Sequence, residues 1–228
     1  MDAPGVNPRD LERSLKFIRR INWFLGYSRT TLGYLRQFSK GWKSSDKISV
    51  LDVATGSADI PGAISVWARN RSMNVSLLAV DRHPHTARVA FNRAGNLDVV
   101  QADARALPFA DQSVDYVMTA MFIHHLSEAD VVAVLKEMNR VARRGIIVSD
   151  LLRHKRAYAW ITLFTLFANP MVVHDARVSV AQAFTKAEIL ELCRAAGLGY
   201  VKYRRHFGHR FVISGEKSEF GKSHRLDG

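Results

Sequence analysis

The sequence predicts an α/β protein with a seven-stranded, mostly parallel sheet closed by an antiparallel C-terminal hairpin. Three observations carry this expectation. Short runs of Val, Ile and Leu recur at Ile48–Val53, Val75–Val80, Leu97–Gln101, Ser113–Thr119 and Gly145–Val148. Stretches with helical spacing lie between them. The last two strand-like runs, about Tyr200–His206 and Arg210–Ser214, are joined only by Phe207-Gly208-His209. Strands that are apolar throughout are covered on both faces by crossover helices, which makes them parallel. Right-handed crossovers then wind the sheet doubly. A three-residue link is too short for a crossover and calls for a hairpin.

Each element has its own signal. Between Asp10 and Trp42, Leu11, Leu15, Ile18, Asn22 and Leu25 fall nearly on one helical face. Gly26 breaks that pattern, and Ser28 or Thr30 is placed to cap a second helix running through Phe38. Residues 1–45 therefore read as a helical lid with a basic outer face. Helices are expected at Asp59–Arg69, His83–Arg93 and Glu128–Ala142. Thr185 caps a further helix to Ala196, with Glu188 in the capping-box position and Gly197 as its terminator. The main domain spans 46–216. A hydrophobic insertion at 151–184 interrupts the alternation, and residues 217–228 form a polar tail.

Composition narrows the class. The 228 residues are 47% apolar and 24% charged, which excludes a disordered chain. A single cysteine, Cys193, excludes an internal disulfide and a thiolate-rich zinc site, and favours a cytoplasmic setting. It falls inside a helix and reads as a buried apolar residue. No metal site is suggested, because the histidines lack ligand-like companions. The formal charge of +12 attracts anions without choosing among nucleic acid, anionic lipid and an acidic substrate. The N-terminus has no apolar core of a secretory signal. The longest uncharged run, Ala157–Val173, is short of the ~20 residues of a membrane span and contains Asn169-Pro170, so it reads as a buried or interface helix.

Ligands of an open parallel sheet bind beyond the carboxyl ends of its strands. Three successive strands end there in carboxylates: Asp52 in the first, Asp81 after the second, Asp103 after the third. Gly56 sits in the turn after the first strand. Glycine permits positive φ and close approach of a ligand to the backbone. The three-glycine dinucleotide spacing is absent, as is the lysine-containing phosphate loop. A carboxylate at Asp81 suits the hydroxyls of a ribose, Asp103 an exocyclic amine, and Asp52 the loop or a cationic group. Together they describe a nucleoside site.

At these residues the chain resembles the class I S-adenosylmethionine-dependent methyltransferases, which have a Rossmann-like fold. The matching pieces are VLDVATGSADIP, LLAVDRHP, VVQADARALPFADQSVDYVMTAMFIHHL and RFVISGEK, covering roughly Ile48 to Gly215. ALPFADQSVDYV followed by IHHL resembles the small-molecule branch that includes the ubiquinone and menaquinone methyltransferases. Ser57-Ala58 replaces that branch's usual threonine-glycine or glycine-rich pair. The resemblance implies S-adenosylmethionine as cofactor, leaving as S-adenosylhomocysteine. It implies that Asp52, Ala54, Gly56 and Ser57 hold the amino-acid end, Asp81 and Arg82 the ribose side, and Asp103 and Ala104 the adenine. Thr119, Ala120 and Met121 would line the pocket floor.

Methyl transfer needs alignment and exclusion of water, and for a phenol or enol carbon also a base. Histidine suits that task near neutral pH. His124, His125, His154 and His174 are candidates, with Asp150 as a further one. Tyr158, Trp160, Phe164, Phe167 and Met171 in the insertion are placed to form an apolar acceptor pocket. Packing of the insertion as a lid or dimer surface accounts for them equally well. The reading is a methyltransferase acting on oxygen or carbon of a hydrophobic small molecule: a phenol, polyketide, quinol or lipid. Peripheral contact with an anionic membrane and a homodimer stay open. The positive charge suits an RNA methyltransferase as the alternative. TAMFIHHL lacks the Pro-Pro-aromatic tetrad of amino-directed base methylases, which makes nucleic acid the weaker choice. A non-catalytic cofactor-binding partner subunit is the third reading.

Overall fold

The computed structural model describes residues 26–93, 97–155, 157 and 177–220. The first predicted helix, His174, Tyr158, Trp160, Phe164, Phe167, Met171 and the end of the tail lie outside the described residues. Within them, helix α1 spans Tyr27–Phe38, β1 Lys47–Val53, α2 Asp59–Arg69, β2 Asn74–Asp81, α3 Pro84–Arg93 and β3 Leu97–Gln101. Then follow β4 Val114–Ala120, α4 Glu128–Val141, β5 Ala142–Leu151, α5 Lys186–Ala195, β6 Lys202–His206 and β7 Arg210–Glu216.

The seven strands make one sheet in the order β3-β2-β1-β4-β5-β7-β6. The pairs through β5 are parallel, whereas β7 runs antiparallel to both β5 and β6. The order reverses between β1 and β4, which opens the ligand crevice at their carboxyl ends. Each face carries its own core. Val117, Ile146, Val148, Phe211 and Ile213 pack with Val134, Leu135 and Met138 of α4 and Ile189 of α5. Tyr116, Met118, Ile147 and Val212 pack on the other face with Leu35 of α1, Ile64 of α2 and Ala90 of α3. Alternation of side chains along each strand assigns the faces. A fully buried side chain of this size contributes roughly 1.5–3 kcal/mol.

Two expectations change in detail. Helix α1 begins at Tyr27, and its cap is Gly26 at φ 72 with no side-chain cap; Thr30 instead donates its hydroxyl back to the Gly26 carbonyl. The glycine supplies a left-handed residue that neither Ser28 nor Thr30 adopts as easily. Strand β5 has ten residues rather than four. It starts straight after α4, because Arg143 and Arg144 reach Asp115 from the strand, and it continues to Leu151 because β7 pairs with it to Arg210. Gly145 lacks a side chain for a packing reason: a Cβ there would stand 2.4 Å from the Gly215 carbonyl oxygen of β7. The capping box of α5 forms as expected between Thr185 and Glu188, and Gly197 ends that helix at φ 76.

The ALPFADQSVDYV stretch is pinned by α4. Arg140 donates to the carbonyls of Leu107 and Phe109 and to Asp111, while Glu137 accepts from the Leu107 N–H. This fixes the loop between β3 and β4 without a helix of its own.

Candidate functional site

The crevice is built first from the turn after β1. Ala54, Gly56 and Ala58 all have φ 57, so three alternate residues of Ala54-Thr55-Gly56-Ser57-Ala58 are left-handed. Only one is a glycine. Each alanine stores roughly 1–2 kcal/mol of strain in that conformation, and such strain persists where the surroundings hold it. A Cβ added at Gly56 would meet nothing within 4 Å, so the turn is open on its ligand side. The Thr55 N–H donates to the Val80 carbonyl and ties the turn to β2.

Three carboxylates meet around this turn. Asp52 is 3% exposed and accepts from the Thr55 hydroxyl at 2.8 Å. Burial pushes its carboxyl up to about 7, against the Thr55 bond, and the negative charges of Asp81 and Asp59 push the same way. Asp81 accepts from the Gly56 N–H and the His83 N–H, each at 3.0 Å, and so joins the first two loops. The Ser57 hydroxyl donates to Asp59. A concentration of negative charge in a partly closed site favours a cationic ligand.

Asp52, Asp59 and the turn border a cavity of about 120 Å³, with Asp81 behind the turn. Its lining includes the predicted Asp52, Ala54, Gly56, Ser57, Ala120 and Met121. Tyr27, Thr55 and Asp59 line it too and were not among the sequence candidates. Tyr27 directly follows the helix-breaking Gly26, and Asp59 follows the glycine turn, so both lay beside recognised signals. Met121 is left-handed at φ 56 and donates its N–H to the Ser149 carbonyl, which aims the loop after β4 across the crevice.

The other predicted cofactor residues have different surroundings. Thr119 is buried and donates its hydroxyl to the Val53 carbonyl, locking β4 to β1. Ala104 packs in the core. Asp103 accepts from the Arg105 backbone N–H and guanidinium, and those bonds lower its carboxyl to about 2. Arg82 is exposed at the start of the next turn, with its carbonyl accepting from Gln101.

A histidine–aspartate pair stands at the ends of β4 and β5. His124 Nδ1 lies 2.6 Å from Asp150 Oδ1, with both side chains buried. Asp150 also accepts from the backbone N–H groups of Phe122, His124 and Leu151. A carboxylate receiving that many donors is an acceptor, so Nδ1 of His124 is the side of the ring that donates to it. The exposed His125 ring lies 4.0 Å from the His124 ring, centre to centre. Both rings line a second cavity of about 400 Å³ with Glu128, Arg153 and Phe184. Arg153 pairs with Glu188. Cys193 is buried in α5, and burial raises its thiol to about 12. No helix among the described residues is long and apolar enough to cross a membrane.

Comparison with known proteins points to the same fold. Residues 50–145 match the methyltransferase domain family. The ubiquinone/menaquinone biosynthesis C-methyltransferase UbiE of Rickettsia bellii is 35% identical over 101 residues, 42% of this chain and 40% of that protein. Its counterpart in Rickettsia massiliae is 36% identical over 100 residues. The chain thus spans about 40% of the length of the curated relatives it matches. Among solved structures, an S-adenosylmethionine-dependent methyltransferase from Aquifex aeolicus superposes with a TM-score of 0.59 at 17% identity, covering 92% of this chain and 98% of that one. Magnesium protoporphyrin IX methyltransferase from Synechocystis with bound S-adenosylhomocysteine gives 0.64 at 13% identity, covering 92% and 94%. Residues 50–145 are thus similar to a methyltransferase domain, and the chain shares the fold of the S-adenosylmethionine-dependent methyltransferases on which it superposes.

Proposed function

We propose that this protein transfers a methyl group from S-adenosylmethionine to an oxygen or carbon of a hydrophobic small molecule. The observation that carries the reading is the strained, open turn at Gly56, set among Asp52, Asp59 and Asp81. A sulfonium with an α-ammonium group is the kind of ligand that such a field attracts. The enclosed 120 Å³ is less than the roughly 300–1,000 Å³ of a complete small-molecule site. It suits the amino-acid end of the cofactor, held by Asp52, Ala54, Gly56 and Ser57 against Ala120 and Met121. Asp81 and Arg82 then take the ribose side, and Asp103 with Ala104 the adenine side.

When bound, the cofactor supplies a methyl group on a positively charged sulfur. The chain's task is to align the acceptor and keep water out. Asp150 orients the His124 ring through Nδ1, leaving Nε2 to take a proton from a phenol or enol acceptor. His125 borders the same cavity. His174 and the aromatic insertion, with Tyr158, Trp160, Phe164, Phe167 and Met171, stay as candidates for the acceptor side. A quinol ring carbon as the methylated atom is favoured by the C-methyltransferase activity for which the relatives are named, over less than half of each chain.

Calorimetry with S-adenosylhomocysteine tests the donor site. Micromolar binding is expected, weakened about tenfold or more in Asp81→Asn while circular dichroism stays unchanged. No heat of binding by the intact chain would refute the assignment. For the base, His124→Asn should cut methyl transfer to a quinol panel by ~10²-fold and shift its pH profile, with S-adenosylhomocysteine affinity retained. Full activity in that variant would remove His124 from the mechanism.

A further inference from the structure

Among the described residues, four buried side-chain atoms on one side of the sheet have no hydrogen-bond partner: Tyr27 Oη, Thr31 Oγ1, Ser149 Oγ and Arg210 Nη1. They belong to one neighbourhood. Tyr27 and Thr31 are one turn apart on α1, which packs on β5 and β7. Ser149 alternates with Ile147 on β5, and Arg210 with Val212 on β7. Ile147 and Val212 both lie in the core beneath α1, so Ser149 and Arg210 face that helix as well. The Arg210 guanidinium stands 4.4 Å from the centre of the Tyr27 ring.

Arg210 is the anomaly. It is 5% exposed, and its Nε is used on the Phe207 carbonyl. Arg105, Arg140, Arg143, Arg144 and Arg153 each have a carboxylate partner. Arg210, deeper than these, has none among the described residues. Burying a guanidinium without a counter-charge is costly. Burial correspondingly lowers its pKa, only partly offset by Tyr27. Three hydroxyls and a cation that lack partners among the described residues are the donor set of an anion site.

The cluster also adjoins the proposed donor site. Tyr27 lines the 120 Å³ cavity beside Ala120 and Met121. Its hydroxyl senses Asp150 as well as Arg210, and burial is the main cause of its raised pKa.

We propose that Arg210, with the hydroxyls of Tyr27, Thr31 and Ser149, forms an acceptor subsite for a carboxylate, so that the acceptor is a hydrophobic molecule bearing a carboxylic acid. The proposal rests on the methyltransferase reading for the word acceptor, and on the four unpaired atoms for the carboxylate. One guanidinium with neutral hydroxyls balances a single negative charge, whereas a phosphate dianion calls for a second cation. His206 is opposite Arg210 in the strand pairing, but burial, Arg210 and Arg204 all lower its pKa, and it is bonded to the Tyr34 hydroxyl at 2.7 Å.

The test uses benzoate, methyl benzoate and inorganic phosphate, each titrated calorimetrically into the full chain with and without S-adenosylhomocysteine. Benzoate should bind at least about tenfold tighter than its ester or phosphate. Arg210→Gln should lose benzoate affinity about tenfold or more, with S-adenosylhomocysteine affinity within about twofold. Equal binding of acid and ester, preference for phosphate, absence of benzoate binding, or full benzoate affinity in Arg210→Gln would each overturn the proposal. Should Arg210→Gln fail to fold, Tyr27→Phe decides: a several-fold loss of benzoate supports the subsite, and no loss refutes it. Benzoate binding without S-adenosylhomocysteine binding would sink the methyltransferase reading while leaving the carboxylate site.

Discussion

Asp115 and Asp52 are buried carboxylates on neighbouring strands of one sheet, at opposite ends, and the fold treats them in opposite ways. At the amino end of β4, Asp115 is surrounded by donors: the Ser49 N–H and hydroxyl, Arg143 and Arg144. Burial raises its carboxyl, but the Ser49 bond and the two arginines outweigh it, and the net shift is downward. At the carboxyl end of β1, Asp52 has the Thr55 hydroxyl and two neighbouring carboxylates, and its shift is upward. One end of the sheet neutralises its buried charge, and the other leaves it waiting for a partner. The same contrast separates Arg144, paired with Asp115, from Arg210, which has no carboxylate partner among the described residues. A buried carboxylate and a buried guanidinium without counter-charges among the described residues at the ligand end, against satisfied charges at the far end, are what a binding site requires of its scaffold.

The contrast is broken most severely at the satisfied end. Asp115→Ala leaves two arginines and Ser49 without their common acceptor and should cost about 3 kcal/mol. Urea unfolding should show this as a lower midpoint at unchanged slope. S-adenosylhomocysteine affinity measured on the folded fraction should stay within about twofold, because the residue lies at the end of the sheet away from the crevice. A large loss of affinity with normal stability would reverse the roles assigned to the two ends.

The opposite substitution has the opposite sign. Asp52 has a folded pKa above its unfolded value, so the native state binds the proton more tightly. Its effect on stability is favourable below the unfolded value near 4, fades as pH rises toward about 7, and is a fixed penalty above that. Asp52→Asn should therefore stabilise the free protein at pH 8, on the order of 2 kcal/mol, and flatten stability between pH 4 and 7. Asp115 runs the other way: its contribution is present above the unfolded value and is lost as pH falls through the lower folded one. The same Asp52→Asn variant should bind S-adenosylhomocysteine about tenfold more weakly. Unchanged stability at pH 8 together with unchanged affinity would erase the distinction between the ends.

How much of this was legible in the sequence follows the same division. Strands buried on both faces leave apolar runs, which is why β1 to β4 and the C-terminal hairpin are readable to within a residue or two. The length of β5 was not, since Arg143 and Arg144 look like loop residues until Asp115 is seen to receive them. Asp52, Gly56 and Met121 were legible because they sit at strand ends and turns, where position predicts role. Tyr27 and Arg210 were not. Each is an ordinary surface-type or helix-start residue in sequence, and its burial depends on α1 crossing β5 and β7, a contact between distant segments. His124 and Asp150 were separately visible as candidates. Their 2.6 Å contact depends on the neighbouring placement of β4 and β5.

The smallest expected effect lies in the turn itself. Ala58 is held at φ 57 and ψ 34 as the cap of α2, a conformation glycine adopts without the Cβ clash. Ala58→Gly removes that strain but gives the unfolded chain more freedom to lose, so the net gain should be about 1 kcal/mol or less. A small rise in the thermal midpoint checks it. Gly56→Ala supplies the converse. Ala54 and Ala58 carry a Cβ at the same φ, and the space around Gly56 is open, so the variant should fold with a loss of about 1 kcal/mol. If the open side of Gly56 is where the ligand backbone lies, its affinity for S-adenosylhomocysteine should fall much further than its stability. Equal affinity in Gly56→Ala and the native chain would mean that the turn's strain serves the helix start alone, and that the unbalanced end of the sheet gathers its ligand elsewhere.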